Sequence, residues 1–335
     1  MLKHKRILGP AVLSLVLVTS TLGASAADKM KLTLNFLAQP AQAGFFLAKE
    51  KGYYKEEGID LTIVQGHGSS TTAQITAGGD NDVGFMNGAV ALSFINKGAP
   101  LQIIASPIQG NFMSIGFLAK ENIKKPKDLI GKKILVCPGC AQIPMLKALL
   151  GKYDIPQSKV QVLTVSQSAH VSMLEGGQAD AAAGDPNSIS IEMESRGDKT
   201  GNLFFQDWGI KLDNFVLAAR KDKLKANPDL YKRFVAASLK GWADISKEPK
   251  KAIAALQAQY PEIKLSEATL LKQLNEGIIP FVCVNDSPGV GEAPESLWKS
   301  TYSVMKNYMG LDATVPVSQT YTNAYLPKDL PACSK

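Results

Sequence analysis

The chain has 335 residues, of which 45% are hydrophobic and 20% charged, and its formal net charge is +7. These are ordinary values for a globular protein. The positive excess is modest and forms no Lys/Arg cluster, which argues against a nucleic-acid-binding protein. About 309 residues follow the N-terminal segment described next, a length that favours two lobes over one core.

The N-terminus has the three-part pattern of a secretory signal peptide. Met1–Arg6 is basic, the residues from Ile7 to Leu22 are almost wholly apolar, and Ala24-Ser-Ala26 matches the small-x-small cleavage pattern. The alternative is a membrane anchor, but the apolar run is short for a span of about 20 residues. Residues 1–26 are therefore predicted to be a signal peptide, and the mature protein to be soluble and periplasmic. Their removal takes away three basic residues and leaves a charge of +4, from 34 basic and 30 acidic residues.

The stretch Leu32–Ser70 predicts a strand, a helix, a second strand and the start of a second helix. Apolar and polar residues alternate over Leu32–Phe36 and again over Ile59–Ile63, which is the pattern of strands. In a parallel crossover unit of this kind, the ligand position lies at the carboxyl ends of the strands. The two loops that follow the strands, Leu37–Gly44 and Gly66–Ser70, are therefore expected to face one cleft.

Two similar segments within the sequence indicate two similar α/β lobes. Ala77–Val83 and Glu175–Ala181 both follow a helical stretch, contain Gly-Gly and then Asp, and precede a short apolar strand. Two extended apolar stretches, Ser114–Ala119 and Asn214–Ala219, are interpreted as paired hinge strands. From Asn227 the chain is mainly helical, and these helices are expected to brace the first lobe. The predicted lobe 1 comprises residues 28–114 plus 219–335, and the predicted lobe 2 comprises residues 115–218.

The segment Leu47-Ala-Lys-Glu-Lys-Gly-Tyr-Tyr-Lys-Glu-Glu-Gly-Ile-Asp-Leu61 resembles the signature of one protein family. That family is the periplasmic solute-binding proteins of ABC importers for sulfonates, taurine, nitrate and thiamine-pyrimidine precursors. Ile75–Gly84 and Ile115–Ala119 also resemble it, and Tyr321–Pro327 is similar to its pyrimidine-precursor branch. The resemblance covers essentially the whole mature chain.

This resemblance implies an α/β, two-lobed periplasmic binding protein fold of type II. Each lobe would be a mostly parallel sheet flanked by helices, two hinge strands would join the lobes, and the ligand would bind between them. It also implies a permease of an ABC transporter in the inner membrane as the partner. We expect a monomer that binds a small molecule and no nucleic acid.

The loops at the strand ends are rich in amides and hydroxyls and contain no Lys or Arg. An anionic ligand would therefore have to meet helix N-termini and backbone N–H groups, and Gly66–Ser70 suits that task. The only charged candidate is Asp185, which either accepts a hydrogen bond from a ligand or caps a turn with Pro186. The candidate ligand-binding residues are Phe36, Gln39, Gln42, Ser69, Ser70, Asn87, Gln109, Gln142, Asp185, Asn187 and Trp208.

Aromatic side chains are candidates for stacking on a ring-shaped ligand. The resemblance places Phe36 at the position of a ring-stacking aromatic in the pyrimidine-precursor branch. Trp208 and Phe205 are a second candidate wall. Burial in the core is the alternative for all three residues, because aromatics are common in protein cores.

The four cysteines fit an oxidising compartment. Cys137 and Cys140 have the C-x-x-C spacing, for which a disulfide, two free thiols in the cleft and redox catalysis all stay open. If the first pair is bridged, Cys283 and Cys333 form the natural second disulfide.

The alternative to a binding protein is an exported enzyme of the pyrimidine-synthase-like fold that acts through His67 or His170. The related synthases carry a run of clustered cysteines that this chain lacks, and no H-E-x-x-H zinc motif is present. The prediction is therefore a binding protein without catalysis, metal or cofactor. Its ligand is expected to be a thiamine-pyrimidine precursor or related heteroaromatic, or else a small organic anion such as a sulfonate or carboxylate.

Overall fold

The computed structural model describes residues 26–140 and 142–333, so the predicted signal peptide lies outside the described residues except for Ala26. The described chain forms two five-stranded sheets flanked by helices. The strands are β1 (Asp28–Thr33), β2 (Ile59–Val64), β3 (Val83–Asn87), β4 (Leu101–Ile108), β5 (Ser114–Leu118), β6 (Lys133–Val136), β7 (Gln161–Thr164), β8 (Ala181–Gly184), β9 (Thr200–Phe204) and β10 (Phe215–Arg220). The helices are α1 (Ala43–Glu50), α2 (Tyr53–Glu56), α3 (Ser69–Gly78), α4 (Gly88–Asn96), α5 (Gln142–Lys152), α6 (His170–Glu175), α7 (Ser190–Ser195), α8 (Lys221–Ala226), α9 (Pro228–Asp244), α10 (Pro249–Gln259), α11 (Glu267–Gly277) and α12 (Glu295–Tyr308).

The two sheets have the same topology. The first has the order β2-β1-β3-β10-β4 and the second the order β7-β6-β8-β5-β9. In each, three strands pair in parallel and the fourth neighbour, β10 or β5, is antiparallel to the strands on both sides. Four strands of each sheet therefore run in one direction, which confirms the predicted mostly parallel sheets. β3 and β8, which follow the two similar Gly-Gly turns of the sequence, occupy the same position in their sheets.

The antiparallel strand of each sheet is the one that arrives from the other sheet. The predicted hinge stretches correspond to β5 and β10, and the crossings between sheets are residues 109–113 and 205–214 that precede them. The predicted lobe limit after Ala218 would divide β10. Because the pairing of β10 with β3 and β4 extends from Phe215 to Arg220, sheet pairing moves this limit to before Phe215.

The first strand lies earlier in the chain than the alternation over Leu32–Phe36 predicts. β1 pairs with β2 in parallel from Asp28 to Thr33, and Leu34 makes one further backbone bond to Val64, at 2.8 Å. The chain then leaves the sheet, because the partner strand has ended. β1 therefore begins four residues and ends three residues earlier than the predicted strand, and Phe36 belongs to the loop that follows the strand.

The C-terminal helices do more than brace the first lobe. α9 packs closely along α1, because Gly44 and Gly241 face each other and a Cβ on Gly241 would overlap the carbonyl oxygen of Gly44. α11, by contrast, reaches the second sheet's helices, where Lys272 Nζ lies 2.7 Å from Glu194 Oε2 of α7. α12 likewise contacts α5. No helix within residues 26–140 and 142–333 has both the length and the apolar character to cross a bilayer.

Candidate ligand-binding cleft

The loops after β1 and β2 are tied together at the carboxyl end of the first sheet. The backbone N–H of Gly66 donates to Phe36 O at 3.1 Å, and that of Gly68 donates to Asn35 O at 2.9 Å. Position 66 requires glycine, because a Cβ there would overlap the carbonyl oxygen of Leu34. These bonds hold Phe36 and the start of α3 as one wall.

The loops of the second sheet form the opposite wall. Cys137 and Cys140 are joined by a disulfide that closes the loop after β6. The Asp185 carboxylate accepts a hydrogen bond at 2.9 Å from the backbone of the 3-10 turn Pro186–Ser188 that follows β8. Gln167 Nε2 donates to the hydroxyl of Ser188 in that same turn, at 2.7 Å. The loops after β7 and β8 are therefore joined by a hydrogen bond.

Both predicted disulfides are present. The first is Cys137–Cys140, and the second joins Cys283 to Cys333 across 50 residues of sequence. Of the three states left open for the C-x-x-C pair, the structure has the disulfide.

Two adjoining cavities lie between these walls. The larger has a volume of about 510 Å³ and the smaller about 30 Å³. Phe36, Gln39 and Gln167 line both, so they mark the junction. Among the described residues, neither lining contains Lys or Arg, and the acidic side chains are Asp185 in the smaller cavity and Glu192 in the larger.

Six of the eleven predicted ligand-binding residues line the smaller cavity. They are Phe36, Gln39, Ser69, Asn87, Gln142 and Asp185. Asn87 ends β3 and the other five follow strands, so all six lie where the parallel topology predicts the cleft edge.

Two predicted glutamines are engaged in the fold instead of lining these cavities. Gln42 is buried and its Nε2 donates to Asn35 Oδ1 at 2.7 Å, which supports the loop that carries Phe36. Gln109 is also buried, and its Nε2 donates to Gly289 O at 3.2 Å. It connects the first crossing to the C-terminal segment.

Trp208 and Asn187 are also absent from the two cavity linings. The Trp208 ring packs edge-on against Tyr153, with 5.7 Å between the ring centroids. Asn187 is 1% exposed and its carbonyl oxygen accepts a hydrogen bond from Gln273 of α11. Trp208 is thus not brought to the cleft, and Asn187 lies one layer behind Asp185.

Ser70 connects the two walls. Its Oγ donates to Gly139 O, in the loop closed by the disulfide, at 3.1 Å. The side chain lies beside the smaller cavity without lining it.

Burial controls the titration of the groups near the cleft. Asp185 is 4% exposed, and burial raises its pKa to about 7 against the opposing effect of the hydrogen bond from Asn187 N. His67 is exposed and lines the larger cavity. His170 lines neither cavity, because it begins α6 with its ring fully buried, and burial lowers its pKa. His170, one of the two residues through which the enzyme alternative would act, therefore lies outside both cavities.

Sequence reasoning missed two groups of lining residues. Asn35, Met113, Gln167 and Phe215 line the smaller cavity, and Ile263, Leu265, Leu270 and Gln273 line the larger. Asn35 directly precedes the candidate Phe36, and Gln167 lies in the loop after β7, so loop position was the available signal. The second group has no such local signal, because packing of α11 against α7 brings it to the cleft.

Two similarly connected α/β sheets with a cavity between them define the fold of periplasmic binding proteins. Among solved structures, the alkanesulfonate-binding protein SsuA from Xanthomonas axonopodis pv. citri bound to MOPS superimposes with a TM-score of 0.69. It is 16% identical, and the match covers 89% of this chain and 99% of that protein. The chain has the fold of the solute-binding proteins of ABC importers.

The chain belongs to the NMT1/THI5-like family, which it matches over residues 39–252. The riboflavin-binding protein RibY from Chloroflexus aurantiacus is 24% identical over 90% of this chain and 86% of its own length. The formylaminopyrimidine-binding protein from Halalkalibacterium halodurans is 24% identical over 75% of this chain and 78% of its own. The yeast pyrimidine phosphate synthase THI5 (Saccharomyces cerevisiae) is 25% identical over 67% of this chain and 69% of its own. The predicted family resemblance is confirmed.

Proposed function

We propose that this chain is the periplasmic solute-binding component of an ABC importer. It is exported by the signal peptide of residues 1–26, captures a small polar heteroaromatic molecule between its lobes as a monomer, and delivers it to an inner-membrane permease. A thiamine-pyrimidine precursor is the model compound for this ligand class. The chain carries out no chemistry on the ligand.

The charge of the residues that line the cleft favours a neutral ring over an anion as the ligand. No Lys or Arg lines either cavity within the described residues, whereas Asp185 and Glu192 do. A sulfonate or carboxylate would meet these carboxylates without a cation to offset them, which costs free energy in a partly desolvated site. A neutral ring avoids this repulsion and gains contact with the aromatic face of Phe36.

The hydrogen-bonding groups of the smaller cavity match a substituted nitrogen heterocycle. Ser69 Oγ accepts from Asn87 N at 3.0 Å, which leaves the hydroxyl hydrogen for a ligand. Gln142 Nε2 donates to Met113 Sδ at 3.0 Å, while its buried Oε1 has no hydrogen-bond partner among the described residues. The wall therefore offers a donor and an acceptor, with Asp185 beside them. An amino group next to a ring nitrogen supplies the complementary acceptor and donor.

Contacts to both lobes supply the free energy of closure. Phe36 and Ser69 belong to the first sheet's loops, and Gln142 and Asp185 to those of the second. A ligand that touches both sets binds the closed arrangement more tightly and shifts the population toward it.

The test is native mass spectrometry of gently purified protein, followed by a thermal-shift panel of aminopyrimidines, sulfonates and carboxylates. We expect a bound, chemically unaltered heteroaromatic, or stabilisation by the aminopyrimidines alone. Stabilisation by the anions alone would refute the ligand class. Turnover of a bound compound that is lost in His67→Ala would favour the enzyme alternative.

The pH dependence of binding separates the two ligand classes. Because the pKa of Asp185 is about 7, its carboxyl ionises as the pH rises from 6 to 8. An amino group donates more strongly to a carboxylate than to a neutral carboxyl group, so heteroaromatic affinity is expected to rise severalfold over this range. An anion would bind more weakly over the same range, because the new negative charge repels it. Titration calorimetry at pH 6, 7 and 8 measures this, and Asp185→Asn is expected to remove the pH dependence. An unchanged slope in that variant would contradict the role of Asp185.

Ser70→Ala is expected to weaken binding about fivefold, mainly through faster release. The change removes one hydrogen bond between the two walls, worth about 1 kcal/mol. Ser195→Ala is the matched control, since its hydroxyl donates to Glu192 O within one lobe, at 2.7 Å. Stopped-flow dissociation rates that are equal in both variants would contradict a closure role for Ser70.

A further inference from the structure

The larger cavity has a third wall that belongs to neither sheet nor its loops. Ile263 and Leu265 precede α11 and Leu270 lies within it, and all three line the cavity. The two lobes add Pro40 and Val171 to this surface. This side of the larger cavity is therefore apolar, in contrast to the amides and hydroxyls of the smaller cavity.

This third wall is held firmly in place. Gln273 Nε2 donates to Asn187 O, and Lys272 of the same helix forms the 2.7 Å ion pair with Glu194. Gly277 packs so closely on Asn187 that a Cβ at position 277 would overlap that side chain. Leu270 is 1% exposed. These contacts fix α11 against the second lobe, so the apolar surface is a fixed part of the cleft.

The volumes of the two cavities restrict how a ring can bind. A space of about 30 Å³ holds little more than a water molecule, so it admits an amino or hydroxyl substituent but no ring. The ring must then lie at the junction, beside Phe36. Beyond it stands the cavity of about 510 Å³, a size typical of sites for larger ligands than one six-membered ring.

We propose that the ligand has two parts and that the segment from Ile263 to Leu270, at the start of α11, sets the specificity for the second. The polar heteroaromatic head points its substituents at Ser69 and Gln142, and an apolar extension packs against Ile263, Leu265 and Leu270. This inference rests on the proposed function, because it assumes a heteroaromatic head. It assigns a ligand-selecting role to a segment outside both sheets.

The experiment is calorimetry with 4-aminopyrimidines that carry a 5-alkyl chain from methyl to hexyl. Each methylene that enters the cavity is expected to raise the affinity about fourfold until the wall is filled. In Leu270→Ala, the hexyl compound is expected to bind at least tenfold more weakly, while the methyl compound changes less than twofold. Leu265→Ala, at a half-buried position before the helix, is expected to act in the same direction and guards against a folding defect in the first variant.

Leu271→Ala is the matched control, because this leucine is on the same helix and does not line the cavity. It is expected to leave the whole series unchanged. If the methyl compound binds and longer chains add nothing, the two-part ligand is refuted while the proposed function stands. If no member of the series binds, both are refuted.

Discussion

Replacing Cys283 and Cys333 together by serine is expected to lower the free energy of unfolding by about 4 kcal/mol. The disulfide links positions 50 residues apart, so its loss frees a long loop in the unfolded chain. In the folded protein the enclosed segment contains α12 and returns to the first sheet, where Thr322 N donates to Ile103 O of β4 at 2.9 Å. Equilibrium denaturation by guanidinium, under oxidising conditions, measures the change.

The other disulfide is the internal control for this effect. Cys137 and Cys140 are three positions apart, so the same loop relation gives only about 2 kcal/mol for the paired serine variant. That variant is expected to lose ligand affinity as well, because the two residues line the larger and the smaller cavity respectively. A larger stability loss for the short bridge than for the long one would contradict the expectation.

Asp213→Asn is expected to flatten the pH dependence of stability and to make the protein more stable than the wild type at pH 9. Asp213 lies in the second crossing with its side chain fully buried, and Ser106 Oγ donates to its Oδ2 at 2.7 Å. Within residues 26–140 and 142–333 its Oδ1 has no hydrogen-bond partner, and burial raises the pKa of Asp213 to about 8. The folded state therefore holds this proton more tightly than the unfolded state, where the pKa is about 4.

The sign of the effect follows from that difference. The contribution of Asp213 is fully present below about pH 4 and is lost progressively as the pH rises to about 8. At about 1.4 kcal/mol for each unit of pKa difference, the loss amounts to several kcal/mol. Asparagine cannot ionise, so the Asp213→Asn variant does not lose this stability as the pH rises.

Thermal melts of both proteins from pH 5 to pH 9 measure the difference. Asp185 contributes in the same direction up to about pH 7, so the single variant keeps part of the slope and Asp185→Asn/Asp213→Asn removes more. Asp207→Asn, at an exposed position in the same crossing, is the control and is expected to follow the wild type. Parallel profiles for Asp213→Asn and the wild type would contradict burial of an ionisable carboxyl at the crossing.

Local sequence patterns predicted the strands well wherever a turn marks both ends. β8 has the predicted bounds Ala181–Gly184, and the predicted strand Ile59–Ile63 is β2 with one further residue, Val64. Strand alternation and glycine turns involve only a few consecutive residues, so the sequence shows them without knowledge of which strands pair. β1 is the exception, because its start at Asp28 depends on pairing with β2 rather than on its own alternation.

The amino-acid pattern left the pairing of the four cysteines open, but it was sufficient for the two-lobed α/β fold and for six of the eleven candidate residues in the smaller cavity. These follow from local periodicity and from the rule that parallel strands present their carboxyl ends on one edge. Only the tertiary structure shows that Gln42 and Gln109 form hydrogen bonds within the fold. Only the tertiary structure shows that α11 contributes a wall to the larger cavity. The same is true of the raised pKa values of Asp185 and Asp213, because burial and hydrogen bonding depend on residues far apart in the chain.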